Sequence, residues 1–297
     1  MTDHALKVGL VQMTCTEDPE ENFVKGLARI RQAAAEGARV VCLQELFRTR
    51  YFCQEEDVRC FEFAQTIPGP ATEELGSLAR ELGIVVVASL FEKRAEGIYH
   101  NTAVILERDG RIAGRYRKMH IPDDPHYYEK FYFTPGDLGF DAHGTSAGKL
   151  GILICWDQWF PEAARLSALS GAQIIFYPTA IGWLDGQDES TNRAQHSAWE
   201  VSQRAHAVAN GVFVVAVNRV GREDHIRFWG QSFVSDPFGQ VIAKAPSDTE
   251  EVIVATCDLS LVEKTRREWC FLRDRRIDAY SELSARFLDR SEPKSSP

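Results

Sequence analysis

Five near-continuous runs of β-branched and aliphatic residues, at 40–43, 84–90, 150–154, 174–177 and 212–218, most constrain what this chain can become. Each is strand-length and lacks the polar alternation of a half-solvated strand, so each reads as a strand buried on both faces. Helical spacing fills the intervals between them. Asp18-Pro19 supplies an N-cap and first-turn proline for a helix through about Glu36, ended by Gly37. Further helices are expected at 72–82, stopped by Gly83; at 161–170, closed by Gly171; and at about 191–210, stopped by Gly211. Residues 7–13 open the order as a first strand, and 101–107 with 112–117 flank Asp109-Gly110 as a hairpin. Residues 228–235 and 240–245 flank the turn Asp236-Pro237-Phe238-Gly239, and 251–257 adds a last strand. Strands alternating with helices, interrupted by hairpins, imply one α/β domain with mixed sheets covered by helices. It would span 1–297, with a core at about 7–280 and a frayed polar tail at 292–297.

Composition narrows the function classes. At 44% hydrophobic and 26% charged, the chain is ordinary globular protein. No apolar run approaches the roughly 18 residues of a membrane span, and the N-terminal stretch lacks the features of a secretory signal, so a cytoplasmic protein is expected. The seven cysteines are scattered and never form a CxxC pair, which argues against a disulfide framework or a structural zinc. His120 and His126 fit no common zinc spacing, and no metal or other cofactor is expected. A net charge of −9 disfavours nucleic-acid binding and suits a cationic small molecule.

Three residues sit where strand ends meet loops. Cys155 follows the apolar run 151–154 directly and precedes the helix near Pro161, a strand-to-helix turn in which a nucleophile is lifted out of the sheet beside backbone N–H groups. By residue type alone it would be a buried core thiol. Its neighbours Trp156-Asp157-Gln158-Trp159 make that a poor fit, since a core strand does not normally run into two tryptophans, an acid and an amide. Glu45 closes the run 40–43 beside apolar groups, where partial desolvation suits a general base, although a solvated loop acid would look the same. Lys118 ends the hairpin strand in a basic cluster that is otherwise surface-like. The loop 119–148, rich in Pro, Gly, Asp and aromatics, is too decorated for a plain connector.

Together these residues resemble the Glu-Lys-Cys triad of the nitrilase superfamily. The resemblance includes Leu43-Gln44-Glu45-Leu46-Phe47, the stretch from Tyr116 through Lys118 to Pro122, the stretch from Glu129 to Asp137, Cys155-Trp156-Asp157-Gln158-Trp159-Phe160-Pro161-Glu162, and the stretch from Phe176 to Gly182. Within that superfamily these blocks look like the N-carbamoylputrescine amidases. The resemblance implies a four-layer α-β-β-α sandwich with two mixed β-sheets, assembled as a homodimer or higher homo-oligomer. It implies that Cys155 attacks, Glu45 moves protons, and Lys118 with the Trp156 N–H holds the oxyanion. Glu129 would assist near the nucleophile.

Related amidases acting on N-carbamoyl amino acids place arginines shortly after the cysteine to clamp a carboxylate; here the stretch is Asp157-Gln158-Trp159. A terminal ammonium could instead be met by acids and aromatics such as Asp123, Asp124, Tyr51, Tyr128 and Trp183. Tyr51, Asp124, Tyr128, Trp156, Asp157, Ala180 and Trp183 are therefore the expected substrate contacts. The expected reaction converts N-carbamoylputrescine to putrescine, carbon dioxide and ammonia, a step in making polyamines. The alternatives are an amidase for N-carbamoyl amino acids of the β-ureidopropionase type, an ω-amidase, and a non-catalytic assembly protein on the same fold.

Overall fold

Two six-stranded sheets carry the chain in the computed structural model, which describes residues 4–288. The expected frayed tail at 292–297 lies outside the described residues. The first half supplies β1 (Ala5–Gln12), α1 (Pro19–Ala35), β2 (Val40–Leu43), α2 (Pro70–Leu82), β3 (Val85–Ala95), β4 (Ile98–Leu106) and β5 (Ile112–Arg117). After α3 (Glu129–Tyr132) come β6 (Ala142–Thr145), β7 (Gly148–Ile152), α4 (Pro161–Leu169), β8 (Ile174–Thr179), β9 (Gly182–Leu184), α5 (Glu189–Asn210) and β10 (Phe213–Asn218). The chain ends through β11 (Val220–Glu223), β12 (Ile226–Trp229), β13 (Phe233–Ser235), β14 (Val241–Lys244), β15 (Glu251–Asp258) and α6 (Ser260–Glu268).

The first sheet has the order β15-β1-β2-β3-β4-β5 and the second β14-β13-β10-β8-β7-β6. Each has a parallel centre, β1–β2–β3 or β7–β8–β10, bordered by antiparallel strands. The two halves thus share one plan in the order of their elements. The helices end where the sequence says they should: Asp18 accepts from the N–H groups of Glu20 and Glu21, and Gly83 and Gly211 close α2 and α5 at φ of 65° and 57°.

Strand periodicity sorts the core into layers. On β1 to β3, Val8, Leu10, Val40, Cys42, Val85 and Val87 face the second sheet and pack with Ile152, Ile174, Phe176 and Val215. Their alternates Val41, Leu43, Val86 and Ala88 face outward against Phe23 and Ile30 of α1 and Leu75 and Leu78 of α2. Beyond the second sheet, Ala163, Ala164 and Ala168 of α4 and Ala207 of α5 let those helices approach closely. The result is the α-β-β-α stack that the resemblance implies.

One expected strand is two. Residues 228–235 divide between β12 and β13, which belong to different sheets, because Gly230 and Gln231 both adopt left-handed backbone, φ 58° and 54°. Likewise β7 stops at Ile152 rather than 154, and β6, β9, β11, α3 and α6 carry too few in-phase apolar residues to announce themselves.

Glu250 ties the start of β15 to the end of its neighbour β1 and to α1. It accepts from Thr14 N–H and Oγ1 and pairs with Lys25 at 2.9 Å and Arg29 at 2.8 Å. Burial alone would raise its pKa, but the Thr14 hydroxyl and the two cations outweigh that and hold the carboxyl down at about 2. A depressed carboxylate contributes stability that is complete above the ordinary carboxylate range and is lost as pH falls through the folded value. Glu250→Gln should therefore be less stable than the parent at neutral pH, with the gap closing as pH falls toward 2; urea denaturation at several pH values measures it. No helix among the described residues is long and apolar enough to cross a membrane.

Candidate active site

Glu45, Lys118, Glu129 and Cys155 come together at the ends of strands from both sheets. Glu45 lies two residues past the end of β2. Its turn is pinned from either side: the Gln44 carboxamide oxygen accepts the Met13 N–H at 2.8 Å, and the Leu46 N–H donates to Ser89 Oγ at 3.2 Å. Leu46 itself has φ of 48°, a left-handed conformation that costs a branched side chain on the order of 1–3 kcal/mol. Lys118 follows β5, with its N–H on the Asn101 carbonyl and its own carbonyl accepting from Gly136. Gly136 is required there, since a Cβ would stand 2.0 Å from the Arg117 carbonyl oxygen.

The side chains form a closed relay. Lys118 Nζ donates to Glu45 Oε1 at 2.8 Å and to Glu129 Oε2 at 2.6 Å, with all three residues fully buried. Glu45 Oε1 also accepts from Asn101 Nδ2 at 2.7 Å, whose Oδ1 accepts from Ser89 Oγ at 3.0 Å. Glu129 Oε1 accepts from the Tyr51 hydroxyl at 2.6 Å. Two atoms are left over for chemistry. An ammonium has three N–H donors, so Lys118 keeps one beyond its two carboxylates. Glu45 Oε2 is buried and accepts no hydrogen bond from the described residues.

Cys155 begins a 3-10 turn, Cys155–Trp159, at φ of 42°. Asp157 staples this turn: one carboxylate oxygen accepts from Ile154 N–H and the Tyr116 hydroxyl, the other from the His120 N–H and lies 2.7 Å from His120 Nδ1. The leading N–H groups of such a turn have no partner inside it, and the Trp156 N–H has no backbone acceptor among the described residues, so it can face a bound oxygen. The Cys155 Sγ lies 3.8 Å from the Ala180 carbonyl.

Electrostatics favour proton exchange over a standing thiolate. Burial first, and then Glu45, push the Cys155 thiol well above its usual value, with Lys118 opposing. Burial would depress Lys118, but Glu129 and Glu45 outweigh it and hold the ammonium protonated. Glu129 is pushed up to about 7, by burial first, against the pull of Lys118. Glu45, Lys118 and Glu129, if all ionised, leave one net negative charge enclosed. A resting neutral thiol avoids adding a second.

A cavity of about 470 Å³ opens over Cys155. Trp156, Trp159, Trp229 and Tyr127 form much of its wall, Ala180 lies beside the sulfur, and Asp124 is the one charged residue among those lining it. The other expected contacts stand elsewhere. Tyr51 is buried behind the cavity with its hydroxyl on Glu129, and Asp157 is enclosed beneath the cysteine turn. It is Tyr127 that lines the cavity, its hydroxyl accepting from the Gly182 N–H; Tyr128 instead caps α3 with its N–H on Cys53. Trp183 packs behind Trp229 at 5.8 Å between ring centroids, and Asp123 faces Lys130. Asn101, Ser89, Arg219 and Glu223 belong to the site and were not singled out by the sequence. Asn101 did carry a signal: it is in phase with Ala103 and Ile105, the inward face of β4.

Comparison with known proteins agrees with this geometry. The sequence profile of the carbon-nitrogen hydrolase family matches residues 7–267. N-carbamoylputrescine amidase of Solanum lycopersicum is 42% identical over 295 residues, covering 96% of each chain. Citrullinase of Francisella tularensis is 39% identical over 287 residues, covering 95% of this chain and 99% of the relative. The crystal structure of a carbon-nitrogen hydrolase from Helicobacter pylori G27 superposes with a TM-score of 0.93 at 46% identity, over 96% of this chain and all of that one. A variant of the amidase from Nesterenkonia sp. AN1, 26% identical with a TM-score of 0.75 over 92% of this chain and 94% of its own, carries the acetamide moiety of fluoroacetamide covalently on its active-site cysteine. The chain therefore belongs to the carbon-nitrogen hydrolase family of the nitrilase superfamily, and is a hydrolase of carbon–nitrogen bonds other than peptide bonds.

Proposed function

We propose that the protein hydrolyses N-carbamoylputrescine to putrescine, carbon dioxide and ammonia through a thioester on Cys155. The observation that carries the substrate reading is the charge of the cavity: its wall is aromatic, aliphatic and amide, with one acid, Asp124, and no arginine or lysine. A carboxylate tail would be desolvated there without a cation to meet it, whereas an ammonium gains Asp124 and the faces of the tryptophans. The naming of the tomato relative supports the same reading.

The steps follow from the free atoms. Glu45 Oε2 takes the thiol proton as Sγ attacks the carbamoyl carbon, so a thiolate exists only as the new bond forms. The oxyanion is met by the third Lys118 N–H and the Trp156 N–H. Glu45 returns the proton to the departing ammonia. A water activated by Glu45 then cleaves the thioester, giving a carbamate that loses carbon dioxide to leave putrescine. Glu129 and Tyr51 hold Lys118 in place throughout.

Ammonia release tests the substrate. N-carbamoylputrescine should give a kcat/KM at least about 10-fold above N-carbamoyl-β-alanine, N-carbamoyl-D-amino acids, citrulline or a dicarboxylic monoamide, and parity with any of these would defeat the assignment. Asp124→Asn should lower kcat/KM for N-carbamoylputrescine by about 10-fold while leaving N-butylurea, which lacks the ammonium, unchanged. Equal losses on both substrates would remove Asp124 from tail recognition.

A further inference from the structure

Arg219 directly follows β10 and is fully buried, guanidinium included. A charge so enclosed is costly unless its donors find acceptors, and all but Nε–H do among the described residues, so what it holds is informative. Nη1 donates to the Thr49 carbonyl and to Glu223 Oε1, both at 2.8 Å. Nη2 donates to the carbonyls of Glu45 at 3.1 Å and Leu46 at 3.0 Å. Three of these acceptors belong to the turn that carries Glu45 and contains the left-handed Leu46. Glu223 extends the grip: its Oε2 accepts the Tyr51 N–H at 2.6 Å, and the Tyr51 hydroxyl holds Glu129. One ion pair from the second half of the chain thus secures the backbone beneath Glu45 and that of Tyr51, whose hydroxyl in turn holds Glu129.

We infer that Arg219, backed by Glu223, is a positioning residue for the reaction, holding residues 45–49 in the conformation that presents Glu45 Oε2 to the Cys155 thiol. This rests on Glu45 being the base. Lys118 and Asn101 fix only the other oxygen, Oε1, about which the carboxylate can still swing if its backbone relaxes. Left-handed backbone at a leucine relaxes toward negative φ unless something opposes it, and the two Nη2 contacts fall on the peptides at either side of that residue. Neither Arg219 nor Glu223 lines the cavity, so the clamp acts on proton transfer and not on substrate affinity.

The test compares Arg219→Lys, Glu223→Gln and Glu45→Gln in the full-length protein. It reads kcat and KM for ammonia release from N-carbamoylputrescine, or from whichever carbamoyl compound the parent turns over best, across pH, with circular dichroism as the check on folding. A lysine cannot reach all four oxygens, so folded Arg219→Lys should lose about 100-fold in kcat with KM within about threefold. Its residual rate should climb with pH more steeply than the parent's, as hydroxide replaces a misdirected base. A folded variant with kcat within about threefold of the parent, or a loss carried by KM alone, overturns the inference. If Arg219→Lys does not fold, Glu223→Gln decides: kcat lower by about 10-fold or more at unchanged KM supports the clamp, and unchanged kcat overturns it. If neither folds, the pair is structural and the positioning role is refuted. An active Glu45→Gln would instead sink the base assignment itself, whereas an inactive one beside a fully active Arg219→Lys removes only the clamp.

Discussion

Cys155→Ala should release no measurable ammonia, a loss of roughly 10⁴-fold or more, while circular dichroism and thermal unfolding stay close to those of the parent. The size follows from the proposed role: without the sulfur no thioester forms, and the remaining oxyanion donors act on an attack that does not occur. The mildness toward the fold follows from the site. Cys155 bonds only weakly through sulfur, 3.8 Å from the Ala180 carbonyl, and its turn is held by Asp157 rather than by its own side chain. Removing a buried thiol that borders a cavity leaves little new void. Undiminished activity in this variant would refute the nucleophile assignment outright.

Lys118→Met is expected to fail in both activity and stability. Loss of one oxyanion donor costs on the order of 10³-fold in kcat, and here the same ammonium also separates two buried carboxylates. Breaking a buried pair by removing one partner typically destabilises by about 3–5 kcal/mol. The pH dependence gives the sign. Without Lys118 the Glu129 carboxyl, already raised by burial, rises further, so the variant binds a proton more tightly when folded and loses stability relative to the parent as pH rises. Denaturation near pH 5 and near pH 8 should show the larger gap at the higher pH. A gap independent of pH would mean that the two carboxylates do not rely on the lysine.

The elements most legible in the sequence were those whose pattern is local. The buried strands of both sheets and the helices α1, α2, α4 and α5 follow from continuous apolar runs, caps and terminating glycines. The division of 228–235 was not legible, because its apolar pattern runs on across the point where Gly230 and Gln231 turn the chain. At the site, Cys155, Glu45 and Lys118 stood out by their places at strand ends together with their flanking motifs, and Glu129 through its motif alone. Asn101 meets Glu45 across 56 positions and Arg219 meets it across 174, distances over which no periodicity carries information. Tyr51 and Asp157 illustrate the converse. Tyr51 stands in the segment that follows Glu45 and Asp157 in the turn that begins at Cys155, yet their polar atoms turn inward to support the site.

The proposed nucleophile and the groups proposed to act on it come from different sheets: Glu45 and Lys118 just past the ends of β2 and β5, and Cys155 just past β7. Neither sheet alone owns a competent set. On the proposed mechanism catalytic power is a property of the seam between two layers, and a small slip of one layer over the other would silence the enzyme with every strand and helix still formed.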